Sequence, residues 1–432
     1  MNSGGHASRI CLLSPGHLST NPRLVKEADA LTNAGYEVSV IAADFSPWGR
    51  EADREFAGRR WRVANTLKFG PSAPKPNRIV QIMRQRGAAA MFGSGVRHRL
   101  VAEAAWHPIT PDLIAAARRL PANLYIAHYP AALPAAGIAA KTHGAKYAFD
   151  AEDFHLGDPP DLPASIFPRR LIRTIEAHYL PGCAYVTAAS PGIARAYRDA
   201  YGISEPTVVL NTFPRRHGPS GPTAAGAIRP GPSLYWFSQT IGPDRGLESA
   251  LRAIGLSRSK PHLFLRGHVA AGFERALRDI ADASGIADRL HFLAPAPPGD
   301  MERLAADYDI GLASETGNTR NRRIALANKL FSYLAAGIPV AMSNIPAHCA
   351  IFPELGDAAR LFAVDDPQSL AEALDALLAD PKALAVARSA AFVLGRDRFN
   401  WEIEQGHLLV CVRNALGAEN KQDARRAGRG PC

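Results

Sequence analysis

Residues 326–343, LANKLFSYLAAGIPVAMS, join a helix, a sharp turn and a short apolar strand. Asn328 is a good capping residue for this helix, and Gly337 stands where helices often end in a left-handed residue. The unpaired amides of a helix N-terminus attract phosphate, and Lys329 adds a full positive charge to the first turn. The stretch therefore predicts a phosphate-binding helix start, with an ordinary surface helix as the alternative.

Strands and helices alternate through both halves of the chain. Residues 10–13 form an apolar strand, Asn21 and Pro22 open the following helix, and residues 38–42 form the next strand. Further strands are predicted at residues 124–127, 146–150, 184–188, 208–210, 234–237, 262–266, 290–293, 310–313, 340–342 and 360–363. This α/β alternation predicts two doubly wound parallel sheets, which bind ligands at the carboxyl ends of their strands.

The chain of 432 residues is too long for one ordinary core, so two domains are expected. Five Pro and four Gly within residues 213–232 predict an interdomain linker. Residues 1–212 are then the first domain and residues 233–398 the second. A last helix is predicted over residues 399–417. The polar residues 418–432 are predicted to be disordered.

The composition argues against several classes of protein. Hydrophobic residues make up 47% of the chain, but no apolar run reaches the ~18 residues that span a bilayer. The five cysteines lack the paired spacing of zinc sites or of a disulfide framework. The N-terminus has no secretory apolar segment. We therefore expect a reduced, cytoplasmic protein.

The formal charge is +10, and most of the surplus lies within residues 59–108. This segment holds ten Lys or Arg against a single acid, Glu103, and interleaves them with aromatic and aliphatic residues. The pattern is typical of a surface that binds anionic lipid. We expect the segment to stand outside the core sheet and to hold the protein peripherally at the inner face of a membrane. Nucleic acid is the rival partner, but no recognised binding motif accompanies the charge, and a plain solvated face is the other alternative.

A series of motifs resembles the glycosyltransferases of the GT-B fold, and family 4 in particular. The motifs are NPRLVKEADALTNAGYEVSVIA, AHYPAAL, AEDFH, ASPGIARAY, VVLNTFP, SQTIGPDRGLESALRAI, NKLFSYLAAGIPV and VDDPQSLAEAL, within residues 9–416. The resemblance implies two Rossmann-like domains facing a central cleft, with a nucleoside-diphosphate-sugar donor on the second. It also implies a last helix that crosses back to the first domain, retention at the transferred sugar, no cofactor and no obligatory metal.

The activity that the resemblance implies is hexosyl transfer to a saccharide or a lipid-linked glycan in cell-surface polysaccharide synthesis. Two other functions stay open. One is a non-catalytic GT-B protein that binds a nucleotide or a partner. The other is a nucleotide-sugar epimerase of the same fold, which the basic segment disfavours because it suggests a membrane acceptor.

The resemblance assigns the donor diphosphate to cations of the second domain. Arg245, just before Gly246, matches a family Lys, whereas the Arg expected five residues earlier is replaced by Thr240. A guanidinium can bind phosphate through two parallel hydrogen bonds. A surface cation is the alternative role for Arg245. The residues predicted to bind the diphosphate are Arg245, Asn328, Lys329, Ser238 and Arg266.

The paired glutamates that the family spaces E-x7-E are absent. Ile324 and Ser332 occupy their positions, so the contact to the donor ribose is unassigned. Glu315 follows the predicted strand 310–313 and is the nearest carboxylate to the expected sugar-facing position. We predict a catalytic role for Glu315, with a solvated loop acid as the alternative.

Polar residues also follow the strands of the first domain. His128 ends an apolar strand, so its imidazole is expected to point into the cleft and to take part in catalysis. The residues predicted to bind the acceptor or the sugar are Gly16, His17, Glu152, Asp153 and His155. Local hydrogen bonding and solvated loop positions are the alternatives.

Asp307-Tyr308-Asp309 spells a motif that binds manganese in the other large glycosyltransferase fold. Here it lies where a helix turns into a buried strand. A turn or capping role is therefore predicted, and no metal site.

Overall fold

The computed structural model describes residues 7–222 and 230–427, with side chains up to residue 417. The chain forms two compact units. The first unit comprises the described residues up to Val209 together with the part of the last helix that begins at Gln405, and the second runs from Leu210 to Glu404. The predicted linker falls at the start of the second unit, and its residues 223–229 lie outside the described residues.

The first unit is built on a parallel sheet of seven strands. They are β1 (Arg9–Leu13), β2 (Glu37–Asp44), β3 (Arg62–Lys68), β4 (Leu124–His128), β5 (Lys146–Ala151), β6 (Val186–Ala188) and β7 (Thr207–Val208). The helices are α1 (Pro22–Asn33), α2 (Pro47–Ala52), α3 (Lys75–Gly93), α4 (Arg99–Trp106), α5 (Thr110–Ala117), α6 (Leu133–His143), α7 (Ile166–Tyr179) and α8 (Pro191–Tyr201). The strand order is β3-β2-β1-β4-β5-β6-β7, so the order reverses between β1 and β4.

The first βαβ unit follows directly from its sequence. Asn21 accepts a hydrogen bond from the Leu24 amide at 3.0 Å, and Pro22 is the first residue of α1. Leu24 and Leu31 are fully buried on one side of α1. β1 and β2 pair in parallel on either side of this crossover helix, as predicted.

The prediction that the basic segment stands outside the sheet is wrong for one strand. β3 pairs in parallel with β2 at the edge of the sheet. Most of β3 is exposed, and its sequence RVANTLK lacks the apolar alternation of a half-buried strand. The hydrophobic pattern of the sequence therefore does not reveal β3 as a strand. The later part of the segment forms α3 and α4, which do lie outside the sheet.

The second unit is built on a parallel sheet of six strands. They are β8 (Ser233–Ile241), β9 (His262–Val269), β10 (Leu290–Leu293), β11 (Ile310–Ala313), β12 (Val340–Ser343) and β13 (Ala359–Phe362). The helices are α9 (Leu247–Leu256), α10 (Phe273–Ala283), α11 (Met301–Ala305), α12 (Arg320–Ile324), α13 (Asn328–Ala336), α14 (Pro346–Leu355), α15 (Pro367–Leu378) and α16 (Pro381–Asp397). The order is β10-β9-β8-β11-β12-β13, with its reversal between β8 and β11.

Helix α13 confirms one prediction about its ends and corrects the other. Gly337 ends α13 in the left-handed conformation, with φ of 72°, as predicted. Ala327, however, is the N-cap, and Asn328 is already helical and makes no side-chain cap. Leu330 and Phe331 are fully buried, so this helix is fixed by its packing rather than by a cap.

The last helix, α17, extends from Trp401 to Ala427. It continues ten residues beyond the predicted end at residue 417. Residues 418–427 of the predicted tail are included in α17, and residues 428–432 lie outside the described residues. A polar sequence extends a helix without difficulty when its residues have adequate helix propensity.

Candidate functional site

The loops that follow β8 and β11 meet at the reversal of the second sheet, where open α/β sheets bind ligands. Gly246 has φ of +69°, and a Cβ there would lie 2.6 Å from the Ser314 carbonyl oxygen, so only glycine fits. The Ser314 hydroxyl donates a hydrogen bond to the Arg245 carbonyl at 2.6 Å. These contacts hold the Arg245 loop against the loop that begins at Ser314.

Lys329 and Glu315 form a nearly buried ion pair beside this junction. The Lys329 Nζ atom lies 3.4 Å from Glu315 Oε1, and the two side chains are 11% and 13% exposed. The same Nζ atom lies 5.1 Å from the centre of the Trp236 ring, which adds a cation–π contact. The α13 start therefore carries a positioned cation, and Glu315 is not a solvated loop acid.

The pKa of Glu315 reflects the charged groups that surround it. Burial raises the pKa of Glu315, but the positive charges of Lys329 and Arg245, with a hydrogen bond from Lys329, outweigh it and lower the pKa overall. Glu315 is therefore ionised at neutral pH. Arg245 is close enough to act on Glu315, so the structure brings three of the predicted residues into one cluster.

His348 belongs to the same cluster and was missed in the sequence. It is fully buried at the start of α14, and its Nδ1 atom donates to the Ser343 carbonyl at 2.8 Å. Burial lowers its pKa, so the ring is neutral at neutral pH and Nε2 is an acceptor. Among the described residues this Nε2 atom has no hydrogen-bond partner. Its place after the carboxyl end of β12 is the signal that marks it.

Arg322 on α12 is a second residue that sequence reasoning missed. Its guanidinium donates to the Asp244 carbonyl at 3.2 Å and to the Asn318 side chain at 3.3 Å. Asp244 has φ of 59° although it is not glycine, so this loop is strained and needs such restraint. The sequence contains no acid between Glu315 and Glu354, which leaves this region strongly cationic.

Three other residues that were predicted to bind the donor diphosphate make their described contacts outside this cluster. Arg266 donates to the Tyr235 hydroxyl and to the Ala294 carbonyl, each at 2.8 Å, and it faces the ring of Tyr235. Ser238 is a half-buried residue of β8 whose carbonyl contacts Gly267. Asn328 is exposed at the start of α13. In the described part of the chain, the side chains of these three residues make no hydrogen bond or ion pair with Glu315 or Lys329.

The position of the missing second glutamate is occupied by a buried serine. Ser332 is fully buried, and its hydroxyl donates to Glu302 at 2.8 Å. Glu302 is itself fully buried, and its Oε2 atom lies 3.4 Å from His217 Nδ1. The carboxylate nearest to this position of α13 is thus the buried Glu302 of α11.

His128 does not present a free imidazole, which corrects the prediction for its side chain. It is 1% exposed, with Nε2 lying 2.8 Å from Glu27 and Nδ1 lying 3.4 Å from Asp150. Arg23 binds both oxygens of Asp150, at 2.6 and 2.8 Å. Burial lowers the pKa of His128, but Glu27 and Asp150 outweigh it and raise the pKa. A buried charge network therefore holds this end of β4.

Glu152, which is predicted to bind the acceptor or the sugar, has a strongly perturbed carboxyl group. Burial, reinforced by the charge of Asp153, raises its pKa to about 7. Tyr129 interacts with Glu152 through its side chain and has φ of 67°, a strained backbone of the kind that marks functional sites. His155 is buried beside the Tyr197 hydroxyl at 3.0 Å, and burial lowers its pKa to about 4.

His17 is held by buried hydrogen bonds of its own loop, and its contact with the acceptor or the sugar stays a prediction. It is fully buried, and its Nδ1 atom lies 2.9 Å from Asp53. Its Nε2 atom accepts hydrogen bonds from the amides of Phe45 and Ser46, at 3.1 and 3.2 Å. Gly16 lies beside it, with its carbonyl bonded to the Ala43 amide. The loop after β1 is therefore locked by its own side chains.

Asp309 has the structural role predicted for the DYD sequence. Its carboxylate accepts hydrogen bonds from the Ser233 amide and hydroxyl, each at 2.8 Å.

The side chains described for residues 7–222 and 230–417 include no cluster of three His, Cys, Asp or Glu that could hold a metal ion. Within the described residues, no helix has both the length and the apolar content needed to cross a membrane.

The basic segment is partly neutralised by acids from outside it and by Glu103. Arg59 lies 2.7 Å from Asp29, and Arg84 lies 3.2 Å from Asp112. Arg99 lies 3.0 Å from Glu103. The interpretation of all ten cations as a free surface is therefore wrong for these three.

The comparisons with known proteins define the class. Residues 231–380 match the family model described as Glycosyl transferases group 1. HepE of Anabaena, solved in complex with UDP, superposes with a TM-score of 0.68 at 14% identity, over 94% of this chain and 99% of that chain. Sucrose-phosphate synthase of Thermosynechococcus elongatus superposes with a TM-score of 0.70 at 13% identity, over 95% and 100%. The chain thus has the GT-B fold, and the predicted resemblance to GT-B glycosyltransferases is confirmed.

One curated glycosyltransferase also matches part of this chain in sequence. It is the D-inositol 3-phosphate glycosyltransferase of Corynebacterium urealyticum, which is 27% identical over 224 residues. The match covers 43% of this chain and 50% of the relative, so the chain spans about half the length of the curated relative that it matches. The group 1 match lies wholly within the second unit, which is the unit that holds the cluster of Arg245, Glu315, Lys329 and His348.

Proposed function

We propose that this protein is a glycosyltransferase, resembling family 4, that takes a hexosyl group from a nucleoside-diphosphate-sugar. The observation that carries the proposal is the cationic cluster at the β8–β11 reversal, with Lys329 paired to Glu315 and Arg245 beside them. A buried cation at a helix start suits a diphosphate. HepE of Anabaena, which shares this fold, has been solved in complex with UDP and with UDP-glucose, and this supports the same ligand class here.

The cluster suits the charge that develops as a glycosidic bond breaks. The departing diphosphate gains negative charge, and Lys329 and Arg245 stabilise it electrostatically. Glu315 neutralises Lys329 until a donor binds, and it can then accept hydrogen bonds from sugar hydroxyls. His348 offers one further acceptor at Nε2. The reaction so proposed needs no metal, because the leaving group is held by protein cations.

The acceptor is proposed to be a saccharide or a lipid-linked glycan, used in cell-surface polysaccharide synthesis with retention at the transferred carbon. On the first unit, Glu152 and Tyr129 are the proposed acceptor contacts, because a carboxyl with a pKa of about 7 can take a hydroxyl proton. The charge of +10 supports a location at the inner, anionic face of a membrane.

The test is release of nucleoside diphosphate from a panel of UDP-, GDP-, ADP- and TDP-sugars, with membrane lipid extract and oligosaccharides as acceptors. Lys329→Ala should lower the rate about 100-fold, the usual cost of one charge-stabilising group. Lys382→Ala, an exposed lysine of the same unit, should leave it unchanged. The anomeric configuration of the product, read by NMR, tests retention.

A non-catalytic nucleotide-binding protein is the second candidate. The observation that favours it is Ser332, buried against Glu302 where the family has a ribose-binding glutamate. Nucleotide binding without release or transfer from any donor would establish this candidate instead. An epimeric nucleotide-sugar as the sole product would identify an epimerase.

A further inference from the structure

Helix α3 buries one polar and one apolar side chain, Gln81 and Phe92, and leaves several apolar side chains exposed. The side that packs on the first unit includes Gln81, which is buried and donates to the Lys68 carbonyl and to Asp112, at 3.1 and 2.9 Å. Gln85 lies one turn further and donates to the Ala105 and Trp106 carbonyls, each at 3.4 Å. Polar side chains thus fasten α3 from within.

The opposite side of α3 is apolar and faces water. At about 100° per residue, Ile79, Met83 and Ala90 lie on one line diametrically opposite the packed side. Ile79 is 56% exposed and Met83 68%, and the flanking Val80 is 60% exposed. A soluble surface helix places its apolar stripe inward, so this outward stripe requires a partner.

Unpaired cations border the apolar stripe. Lys75, Arg78 and Arg86 are exposed on α3, and none of them has a carboxylate partner among the described residues. They differ in this from Arg84, which is engaged by Asp112. The free charge of the basic segment is therefore concentrated around the exposed apolar residues.

The start of α7 packs against the end of α3 and carries exposed apolar side chains of its own. The Phe167 ring meets the Phe92 ring edge to face at 5.9 Å, which joins the start of α7 to the end of α3. Leu162, just before α7, is 58% exposed and Ile166 is 49% exposed. Arg170 is exposed one turn further along α7. Apolar side chains and cations therefore recur together on a second element.

We propose that this α3–α7 surface, comprising Lys75, Arg78, Ile79, Val80, Met83, Arg86, Leu162, Ile166, Phe167 and Arg170, docks onto a membrane that contains anionic lipid. The apolar side chains enter the boundary between headgroups and acyl chains, and the cations stay at phosphate depth. Charge complementarity selects an anionic leaflet. The contacts that define this surface lie within the first unit and do not depend on the proposed sugar transfer.

The test is sedimentation with vesicles of phosphatidylglycerol and phosphatidylcholine, against vesicles of phosphatidylcholine alone. The wild type should pellet with the anionic vesicles only, and less so as salt rises. Lys75→Gln/Arg78→Gln/Arg86→Gln should weaken partitioning about 100-fold, since three cations near an anionic surface each contribute. Ile79→Ser/Met83→Ser should weaken it even at low salt, which a purely electrostatic contact does not predict.

Matched controls separate this surface from general charge and hydrophobicity. Arg252→Gln/Arg275→Gln/Lys382→Gln removes the same charge from exposed positions of the second unit. Val386→Ser/Val393→Ser removes two apolar side chains that are 55% and 49% exposed on α16. Both controls should pellet like the wild type. Loss in the controls equal to that in the α3 variants, or equal pelleting with neutral vesicles, would overturn the proposal.

Two further measurements separate a loss of membrane docking from a loss of folding or of sugar transfer. Thermal melting of the α3 variants should match the wild type, because the altered side chains are exposed. Their UDP-sugar turnover with a soluble acceptor should also be unchanged, so failure of sugar transfer leaves the docking result intact. Retention of short RNA by the α3 surface, with no vesicle binding, would contradict the membrane partner and assign nucleic acid instead.

Discussion

At the scale of single residues, the candidate donor site is built around a nearly buried pair of opposite charges. Lys329 and Glu315 neutralise each other at 3.4 Å, and removal of either leaves the other charge in a poorly solvated place. Their sequence positions marked both residues as functional. Arg322 escaped prediction because it acts through a tertiary contact with the Asp244 carbonyl, which no local pattern encodes, whereas the place of His348 after β12 was an unused signal.

Lys329→Ala should destabilise the protein by roughly 2 kcal/mol at neutral pH, because it leaves Glu315 buried without its nearest cation. The folded-state pKa of Glu315 is lowered, so the pair contributes stability above the ordinary pKa of about 4.5, and this is lost as the pH falls through the folded value. The loss in thermal midpoint should therefore be larger at pH 7 than at pH 4. Lys329→Ala/Glu315→Ala should recover most of it. Equal losses at both pH values would contradict the pair.

Arg322→Gln should weaken nucleotide binding about 10-fold without changing the fold. Arg322 holds the Asp244 carbonyl, so its loss frees the strained loop that carries Arg245. The measurement is the affinity for UDP and GDP by titration calorimetry. Arg252→Gln is the control, since Arg252 is exposed in the same unit. A variant that binds as tightly as the wild type would exclude this positioning role.

At the scale of secondary-structure elements, the strands with buried apolar runs were predictable and the edge strand was not. β11 occupies the predicted residues, and β1 differs from its prediction by one residue. β3 was missed because its side chains face water on both sides, which removes the period that marks a strand. Helix α3 shows a related limit of prediction from sequence. The period of its apolar residues is the same whether those residues face the core or water.

Helices α7 and α8 enclose Glu176, which should make the first unit sensitive to pH. Glu176 is fully buried, and burial raises its pKa to about 7 although Tyr201 and Tyr197 donate to it. A folded-state pKa above the unfolded value of 4.5 means that the folded state binds the extra proton between them. Stability should therefore fall as the pH rises from about 4.5 to about 7, by up to about 3 kcal/mol.

Glu176→Gln should flatten this dependence, because an amide does not titrate. The measurement is the thermal midpoint at pH 5 and at pH 8 for both proteins. Glu51→Gln, at an exposed glutamate of the same unit, should keep the wild-type dependence. A variant whose midpoint still falls as steeply as that of the wild type would show that Glu176 is not the responsible group.

At the scale of the whole molecule, two doubly wound sheets with the GT-B fold were predictable from the order of the motifs. The roles of individual residues were less predictable from the sequence. His17 and His128 follow strands as ligand-binding residues do, but the fold uses both to lock buried hydrogen-bond networks. A strand-end histidine has the same sequence signature in either role, and only its partners distinguish the two.

Removal of divalent cations should leave sugar transfer unchanged. Glu315 is the carboxylate of the cluster, and it is already neutralised by Lys329, so the diphosphate is expected to be held by protein cations alone. The measurement is the transfer rate in the presence of EDTA, with and without added Mg²⁺ or Mn²⁺. A rate that collapses in EDTA and returns with either metal would show that the cations of the site do not suffice.

The central claim is that Arg245 and Lys329 bind a nucleoside diphosphate at the reversal of the second sheet. Titration calorimetry with UDP, GDP and inorganic pyrophosphate tests it most directly, using the wild type, Arg245→Ala and Lys329→Ala, with Arg252→Ala and Lys382→Ala as exposed controls. We expect each site variant to lose at least about 10-fold in affinity, the scale of a charge-assisted hydrogen bond, while the controls bind like the wild type. Unchanged affinity in both site variants would contradict it.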